Sequence, residues 1–260
     1  MNNTIRLDKY PTRIISLVPS QTELLFDLGL DAEVVGVTRY CLYPHDKTDK
    51  RVKIGGTKKF QFEVIDKLQP DLIIGNKEEN YPEGIRKLQE KYPVWMSDIA
   101  TLEDALLMIW GIGDLVNKGE NARQIISEIR INIDNLENYS PLNVVYFIWK
   151  NPYMVAGGNT FITNMLYKCG LINIFSSIAS YPKINLDQIA DAELILLSSE
   201  PYPFNQQDIE FFKNKYPDLP VLLVDGTMFS WYGSRLKYVA AYYRTLREEI
   251  RKCDAVKKSL

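Results

Sequence analysis

The sequence predicts an α/β protein with two Rossmann-like lobes, each a parallel sheet covered by helices, joined by a single long backbone α-helix. Short apolar segments alternate with helical segments at intervals of roughly 20 to 30 residues, the pattern of parallel sheets. The order of these segments in the first part of the chain recurs in the last part, and a long amphipathic stretch separates the two. We therefore expect one lobe over residues 1–100, the connecting helix over 101–139 and a second lobe over 140–260.

The first lobe begins with RIISLVP, whose apolar run predicts a buried strand over residues 14–18. Ser20 and Glu23 have the spacing of a capping box, so we expect a helix to begin at Ser20 and to end near Gly29. AEVVGVT predicts a second strand, PDLIIGN a third over residues 72–75, and PVWMS a fourth.

The stretch between the lobes has its apolar residues at steps of three and four from Leu102 to Leu136. This spacing predicts one amphipathic helix, about 50 Å long at about 1.5 Å per residue. Gly111, Gly113 and Gly119 each cost such a helix up to about 1 kcal/mol relative to alanine, so a break near them is the competing interpretation. We favour the unbroken helix.

The second lobe repeats the order of the first. NVVYFIW predicts a strand, MVAGGNTFITNMLYKCG a turn into a helix, and LDQIADAELILLSSEPY a short helix followed by a strand and a polar loop. VLLVDG predicts a late strand, and the apolar stripe from about Ser234 to Ile250 predicts a final helix.

Charge and cysteine content exclude several classes of protein. Lys plus Arg number 31 against 33 Asp plus Glu, so no net field attracts nucleic acid, and we expect no nucleic-acid partner. Cys41, Cys169 and Cys253 are too few and too far apart for a disulfide framework or a zinc ribbon. We expect a monomeric protein that has no permanently bound cofactor. The residues after Met1 lack the apolar core of a secretory signal, so the sequence as it stands predicts no export signal.

Ligands of open parallel sheets bind beyond the carboxyl ends of the strands, and the loops predicted there supply the candidate site. Their aromatic side chains suit a large flat ligand, since each ring buries about 150 to 250 Å². Core packing is the alternative for any one of them. The candidate ligand-binding residues are Pro19, Ser20, Gln21, Arg39, Tyr40, Cys41, Thr57, Lys58, Lys77, Trp149, Lys150, Tyr153, Asn159, Tyr202, Asp225, Phe229, Trp231 and Tyr232.

The stretch TRYCLYPHD contains the one histidine of the chain, and three kinds of site compete for it. Cys41 and His45 have C-x-x-x-H spacing, but a structural zinc site needs about four ligands and the other cysteines lie far away in sequence. A cysteine nucleophile with His45 as base lacks an orienting partner. His45 alone has the chemistry of an axial ligand to a haem or corrin metal, although a surface histidine is the favoured interpretation. Arg39 and Tyr40 are the better pocket candidates.

GGNT, residues 157–160, precedes a predicted helix but lacks the spacing of a nucleotide-binding loop. We interpret it as a helix N-terminus whose backbone N–H groups face an acidic group of a ligand.

RIISLVPSQTELLFDLGLDAEVVGVT, IGGTKKFQFEVIDKLQPDLII, the connecting stretch and LDQIADAELILLSSEP together resemble the helical-backbone substrate-binding proteins of ABC importers. Those proteins bind vitamin B12, ferric siderophores or haem, and this chain is most similar to the cobalamin-binding-like branch. The resemblance covers residues 13–250.

The resemblance implies a non-enzymatic protein that holds a corrinoid or iron chelate in a shallow cleft between two lobes, with little closure. It also implies export, and one glutamate on each lobe that meets arginines of an ABC permease dimer. Matching loops give Glu200 in the second lobe and Glu78, Glu79 or Glu83 in the first, of which we choose Glu83. The second lobe contains no histidine, so a pair of histidines cannot hold a haem.

Three other functions remain in competition. One is a cytoplasmic two-lobe enzyme acting on a nucleotide-sugar, with Glu79 or Asp225 as its base. Another is a relative that binds the same ligands without feeding an importer. The last is an interaction protein that has lost its ligand.

Overall fold

The computed structural model describes residues 5–257, which form two compact units. Unit 1 comprises residues 5–99, 103–129 and 231–237, and unit 2 comprises residues 100–102, 130–230 and 238–257. The chain therefore passes between the units several times. The lobe boundaries expected from the sequence place residues 231–237 in the second lobe, whereas their contacts assign them to unit 1.

Unit 1 is built around a five-stranded sheet with the strand order β3-β2-β1-β6-β7, in which all neighbouring strands are parallel. Every residue of β1 and β6 is buried, which explains why both read as continuous apolar runs in the sequence. Its elements are β1 (Ile14–Ser16), α1 (Pro19–Asp27), β2 (Val34–Val37), α2 (His45–Thr48), β3 (Val52–Lys53), β4 (Gly55–Gly56), β5 (Lys59–Phe60), α3 (Phe62–Leu68), β6 (Leu72–Asn76), α4 (Pro82–Gln89), β7 (Val94–Ser97) and α5 (Leu102–Leu115). The strands β4 and β5 form a separate antiparallel hairpin.

Unit 2 repeats the plan with a parallel sheet of order β10-β8-β11-β12, to which β9 adds one antiparallel pairing with β8. Its core packs around Phe147, Phe212 and Ile195. After α6 (Gly119–Asp134), which crosses between the units, its elements are β8 (Leu142–Trp149), β9 (Met154–Val155), α7 (Phe161–Lys168), β10 (Leu171–Asn173), the 3-10 helix η1 (Leu186–Ile189), β11 (Leu194–Ser198), α8 (Gln206–Lys215), β12 (Val221–Val224), α9 (Thr227–Ser230) and α10 (Leu236–Lys257). The two parallel sheets and the long final helix confirm the predicted α/β fold.

The single helix expected over residues 102–136 is wrong, because the stretch is broken between α5 and α6. Asn117 has φ of +58°, its N–H donates to the carbonyl of Asp114, and the Lys118 N–H donates to the carbonyl of Gly113. This pair of bonds is the Schellman motif that ends helices at a left-handed residue. A side chain at Gly113 would lie 2.4 Å from the Cβ of Ala122, so the close approach of the two helices at the break requires glycine there. The glycines indicated the region of the break, and Asn117 determines the residue at which α5 ends.

The capping box expected at Ser20 and Glu23 is also wrong. The helix α1 begins one residue earlier, at Pro19, and its N-cap Val18 contributes no side-chain hydrogen bond. Proline is favourable at the first helical position, where its missing N–H needs no partner. Glu23 is therefore available for another contact.

Candidate functional site

Each sheet has a place where the chain leaves neighbouring strands in opposite directions, and in open parallel sheets ligands bind at that place. In unit 1 it lies between β1 and β6, and in unit 2 between β8 and β11. The loops that follow these four strands contain many of the candidate residues. Topology alone thus selects the carboxyl ends of both sheets as the candidate functional site.

A buried amide network holds the unit 1 loops together. The Asn80 amide nitrogen donates to the carbonyls of Leu17 (3.3 Å) and Thr57 (3.2 Å), and its oxygen accepts from the Asn76 N–H at 2.9 Å. The Asn76 amide nitrogen donates to the Ser97 hydroxyl at 3.0 Å. These bonds connect the loop after β1, the turn of the β4–β5 hairpin, and the carboxyl ends of β6 and β7. The sequence placed Asn76 and Asn80 in the candidate loop after LIIGN, whereas sequence reasoning missed Ser97, the last residue of β7.

Two of the unit 1 candidates belong to the interior. The Gln21 side chain is fully buried and donates to Ser97 Oγ at 2.7 Å. Cys41 is also fully buried, with its Sγ 3.1 Å from the hydroxyls of Thr22 and Thr38. Burial raises the pKa of the Cys41 thiol, which disfavours the reactive thiolate. The prediction that Gln21 and Cys41 contact a ligand is therefore corrected, because neither side chain reaches solvent.

Arg39 and Tyr40 are exposed, as expected of residues that follow β2. The Arg39 guanidinium carbon lies 5.4 Å from the centre of the Tyr40 ring. Both side chains pass so close to Gly56 that a Cβ there would lie 3.1 Å from Tyr40 and 3.2 Å from Arg39. Arg39 and Tyr40 therefore pack against the backbone of Gly56, where the absence of a side chain allows this close contact.

The candidate cations differ in whether a carboxylate compensates their charge. Lys77 pairs with Asp98 at 2.8 Å, and Lys150 pairs with the buried Asp208, and in each case the hydrogen bond raises the pKa of the lysine. Lys58 donates to the backbone carbonyl of Glu78 at 2.6 Å. Within residues 5–257, Arg39 makes no ion pair. It is thus the candidate cation with its charge most available to an anionic group of a ligand.

The other unit 1 candidates lie at the start of α1, in the turn between β4 and β5, or in the segment 231–237. Pro19 and Thr57 are partly exposed, whereas Ser20 is buried beneath Gly233, where a Cβ would lie 2.3 Å from the Ser20 carbonyl oxygen. Trp231 and Tyr232 are almost entirely buried, and the Tyr232 hydroxyl donates to Glu79. Burial and the neighbouring Glu79 charge raise the pKa of Tyr232 well above its ordinary value.

In unit 2, the structure brings together the candidates that follow β8 and β11. Trp149 is 41% exposed and meets Tyr202 edge to face, with ring centres 5.7 Å apart. Lys150 is the next residue, held by Asp208 in the first turn of α8. Tyr153 packs on Phe147 beneath them. An exposed indole beside a held ammonium is the main feature of this part of the site.

The remaining unit 2 candidates have mostly structural roles. Phe229 is fully buried and stacks on Tyr243, so its interpretation as a ligand contact is corrected. Asp225 accepts from the N–H and hydroxyl of Thr227 at the start of α9. Asn159 is exposed with φ of +56°, and the GGNT helix begins after Thr160, whose hydroxyl accepts from the Thr163 N–H.

The acids considered for docking have different environments. Glu83 is exposed in the first turn of α4 and pairs with Arg86 at 3.0 Å, whereas Glu79 accepts from Tyr232. In unit 2, Glu200 accepts from the Ser230 hydroxyl at 2.5 Å. Glu63, in the first turn of α3, is a further exposed acid of unit 1.

His45 begins α2 and lies in the solvent with its ring 4.8 Å from that of Tyr43. Among the side chains described, those of residues 5–253, no three from His, Cys, Asp or Glu are grouped closely enough to hold a metal ion. None of the helices in this part of the chain is both long and apolar enough to cross a bilayer.

The structure contains two parallel-sheet units. Aromatic, cationic and amide side chains lie at the carboxyl ends of their strands, as is typical of α/β ligand-binding proteins. The chain belongs to the periplasmic binding protein family, whose model matches residues 14–217. It is a substrate-binding protein of the class that serves ABC importers, and not an enzyme.

Individual relatives agree with this assignment. The vitamin B12-binding protein of Vibrio campbellii is 28% identical over 214 residues, which cover 80% of this chain and 78% of that protein. The crystal structure of the periplasmic vitamin B12-binding protein of Vibrio cholerae matches with a TM-score of 0.75 at 21% identity, over 93% of this chain and 98% of that one. A periplasmic haem-binding protein from Pseudomonas aeruginosa matches with a TM-score of 0.76 at 20% identity, over 90% and 91% of the two chains. The two solved structures show the fold.

Proposed function

We propose that the protein binds a large metal-bearing macrocycle or chelate, with a corrinoid as the first candidate, and delivers it unchanged to an ABC importer. The relative named as a vitamin B12-binding protein, matched over most of both chains, carries the choice of ligand. Haem and ferric siderophores are the other ligands of the proposal. The loops at the carboxyl ends of both sheets supply the contacts, as the resemblance implies.

The exposed side chains of these loops support a ligand with both flat and polar parts. Tyr40 (54% exposed) and Trp149 (41% exposed) present aromatic area to solvent. A solvent-exposed ring that becomes covered by a ligand contributes through burial at about 25 cal/mol per Å². Arg39 adds a charge suited to a peripheral carboxylate or phosphate.

An absorbance titration tests the proposal directly. Wild-type protein is titrated with cyanocobalamin, cobinamide, haemin and a ferric hydroxamate, each of which absorbs visible light. We expect saturable binding of at least one, and Tyr40→Ala and Trp149→Ala to raise its Kd about tenfold or more, equivalent to about 1.4 kcal/mol. Tyr167→Ala is the matched control, because Tyr167 is exposed near the end of α7, which leads to the amino end of β10. Absence of binding to all four ligands refutes the proposal.

The partner in the proposal is an ABC permease dimer that meets Glu83 and Glu200. In proteoliposomes that contain the importer, Glu83→Gln and Glu200→Gln are each expected to lower ligand uptake while the Kd of the binding protein stays the same. Glu83 is exposed and Glu200 is partly exposed, and charges at a docking surface act on association with a partner rather than on the ligand. Glu63→Gln is the matched control, as another exposed acid in the first turn of a neighbouring helix. Loss of uptake with Glu63→Gln but not with Glu83→Gln contradicts the choice of Glu83.

A further inference from the structure

Two aromatic residues distant in the sequence meet in unit 1 under one arginine. Tyr43 and Trp231 contact each other edge to face, with ring centres 5.9 Å apart. The guanidinium carbon of Arg235 lies 4.6 Å from the centre of the Tyr43 ring and 4.5 Å from that of Trp231. Contacts at these distances are favourable cation–π interactions, and one planar cation here restrains both rings. We call Tyr43 and Trp231 the aromatic pair.

Arg235 is itself held by a carboxylate. Glu23, on α1, accepts from Arg235 Nη2 at 2.7 Å and from Arg235 Nε at 3.0 Å. The two side chains are only 14% and 13% exposed. A two-bond arginine–carboxylate pair determines the plane of the guanidinium as well as its position, which a lysine cannot do. Glu23 therefore sets the orientation of the group that restrains the aromatic pair.

The rest of the segment 231–237 is anchored to the same surface of unit 1. Tyr232 donates to Glu79, in the loop after β6, and Gly233 lies against the Ser20 carbonyl. Lys237 pairs with Asp27 at 3.3 Å, one turn of α1 beyond Glu23. These contacts place the aromatic pair among the loops that follow β1, β2 and β6. This is the part of the unit 1 sheet where the topology predicts a ligand.

We propose that Glu23 and Arg235 are positioning residues that hold the ring of Tyr43, supported by the edge-to-face contact with Trp231, as the apolar surface on which a planar macrocycle stacks. Tyr43 is 38% exposed and presents the accessible ring, while Trp231, 8% exposed, supports it from behind. Holding the rings before binding reduces the ordering cost that a free side chain incurs. The inference rests on the proposed function and narrows it, since a flat ring surface suits a corrin or porphyrin better than a globular iron chelate.

The test uses the full chain and two readouts. Arg235→Lys keeps the charge but removes the planar fork, and Glu23→Gln keeps the size of the side chain but removes its charge. Both are expected to raise the Kd for cyanocobalamin or haemin about tenfold and to change the Kd for a ferric hydroxamate by less than about twofold. Lys237→Met is the matched control, because it removes an ion pair with the same helix and leaves both members of the Glu23–Arg235 pair in place. It is expected to leave every Kd within about twofold.

The second readout does not depend on a ligand. In protein labelled with 5-fluorotryptophan, the ¹⁹F resonance of Trp231 is identified by its loss in Trp231→Phe. We expect this resonance to shift or broaden in Arg235→Lys and Glu23→Gln and to stay unchanged in Lys237→Met.

Each result has a definite consequence. An unchanged Trp231 resonance in both variants overturns the positioning role. A changed resonance with unchanged affinity for every ligand that the wild type binds overturns the role of the aromatic pair as a ligand surface. If the wild type binds none of the ligands, the proposed function and the ligand-facing role both fail, and the resonance alone decides the positioning role.

Discussion

At the scale of single residues, Cys41 illustrates how surroundings decide between chemistries that a sequence leaves open. The stretch TRYCLYPHD offers a thiol and an imidazole four residues apart, but the two side chains have different environments. Cys41 lies inside unit 1 against Thr22 and Thr38, whereas His45 is in solvent beside Tyr43. The Cys41 thiol therefore holds the loop after β2 against unit 1. The rings of Tyr40, Tyr43 and His45 are exposed to solvent.

The environment of Cys41 makes its reactivity predictable. Burial raises the pKa of both Cys41 and Cys169, the latter to about 12, and both side chains are inaccessible. Because only an accessible thiolate attacks a disulfide reagent, we expect the native protein to release one equivalent of chromophore from Ellman's reagent, from the partly exposed Cys253. Unfolding in guanidinium chloride should release three. Rapid reaction of two or more thiols in the native protein contradicts the buried position of Cys41.

At the scale of elements, the break between α5 and α6 depends on one polar residue in a left-handed conformation. Glycine adopts φ of +58° without steric cost, asparagine adopts it readily, and other residues lose about 1 to 2 kcal/mol. The two hydrogen bonds of the Schellman motif require that conformation.

Substitutions at Asn117 test this explanation. Asn117→Ala is expected to lower the free energy of unfolding by about 1 kcal/mol, whereas Asn117→Gly should leave it within about 0.5 kcal/mol of the wild type. Urea denaturation followed by circular dichroism measures both. A continuous helix would give the opposite order, with alanine more stable than glycine, because alanine has the higher helix propensity.

At the scale of the whole molecule, sequence patterns predicted what is local and missed what joins distant parts of the chain. The strands β1 and β6 were predicted because their buried residues are contiguous. The edge strands β3 and β10 were missed, since two or three residues carry no usable periodicity. The break at Asn117 was missed because the apolar residues on both sides of it lie at steps of three and four, although the step from Val116 to Ala122 is six.

The candidate site divides in the same way. Tyr40, in the loop after β2, and Trp149, the last residue of β8, are exposed where the topology leads one to expect a ligand, and their contact with a ligand stays a prediction. The packing of residues 231–237 on unit 1 was not predicted, because its anchors Glu23 and Glu79 lie more than 150 positions earlier in the chain. No local pattern could distinguish buried Phe229 from the aromatic residues that face solvent.

Native mass spectrometry tests whether the chain binds a metal-bearing macrocycle or chelate without altering it. The protein is incubated with cyanocobalamin, cobinamide, haemin and a ferric siderophore, then weighed intact and again after denaturation. We predict one bound ligand per chain for at least one compound, released on denaturation with its mass unchanged. No complex with any of them would rule out the proposed binding, and a released compound of altered mass that protein-free incubation does not produce would show that the protein alters its ligand.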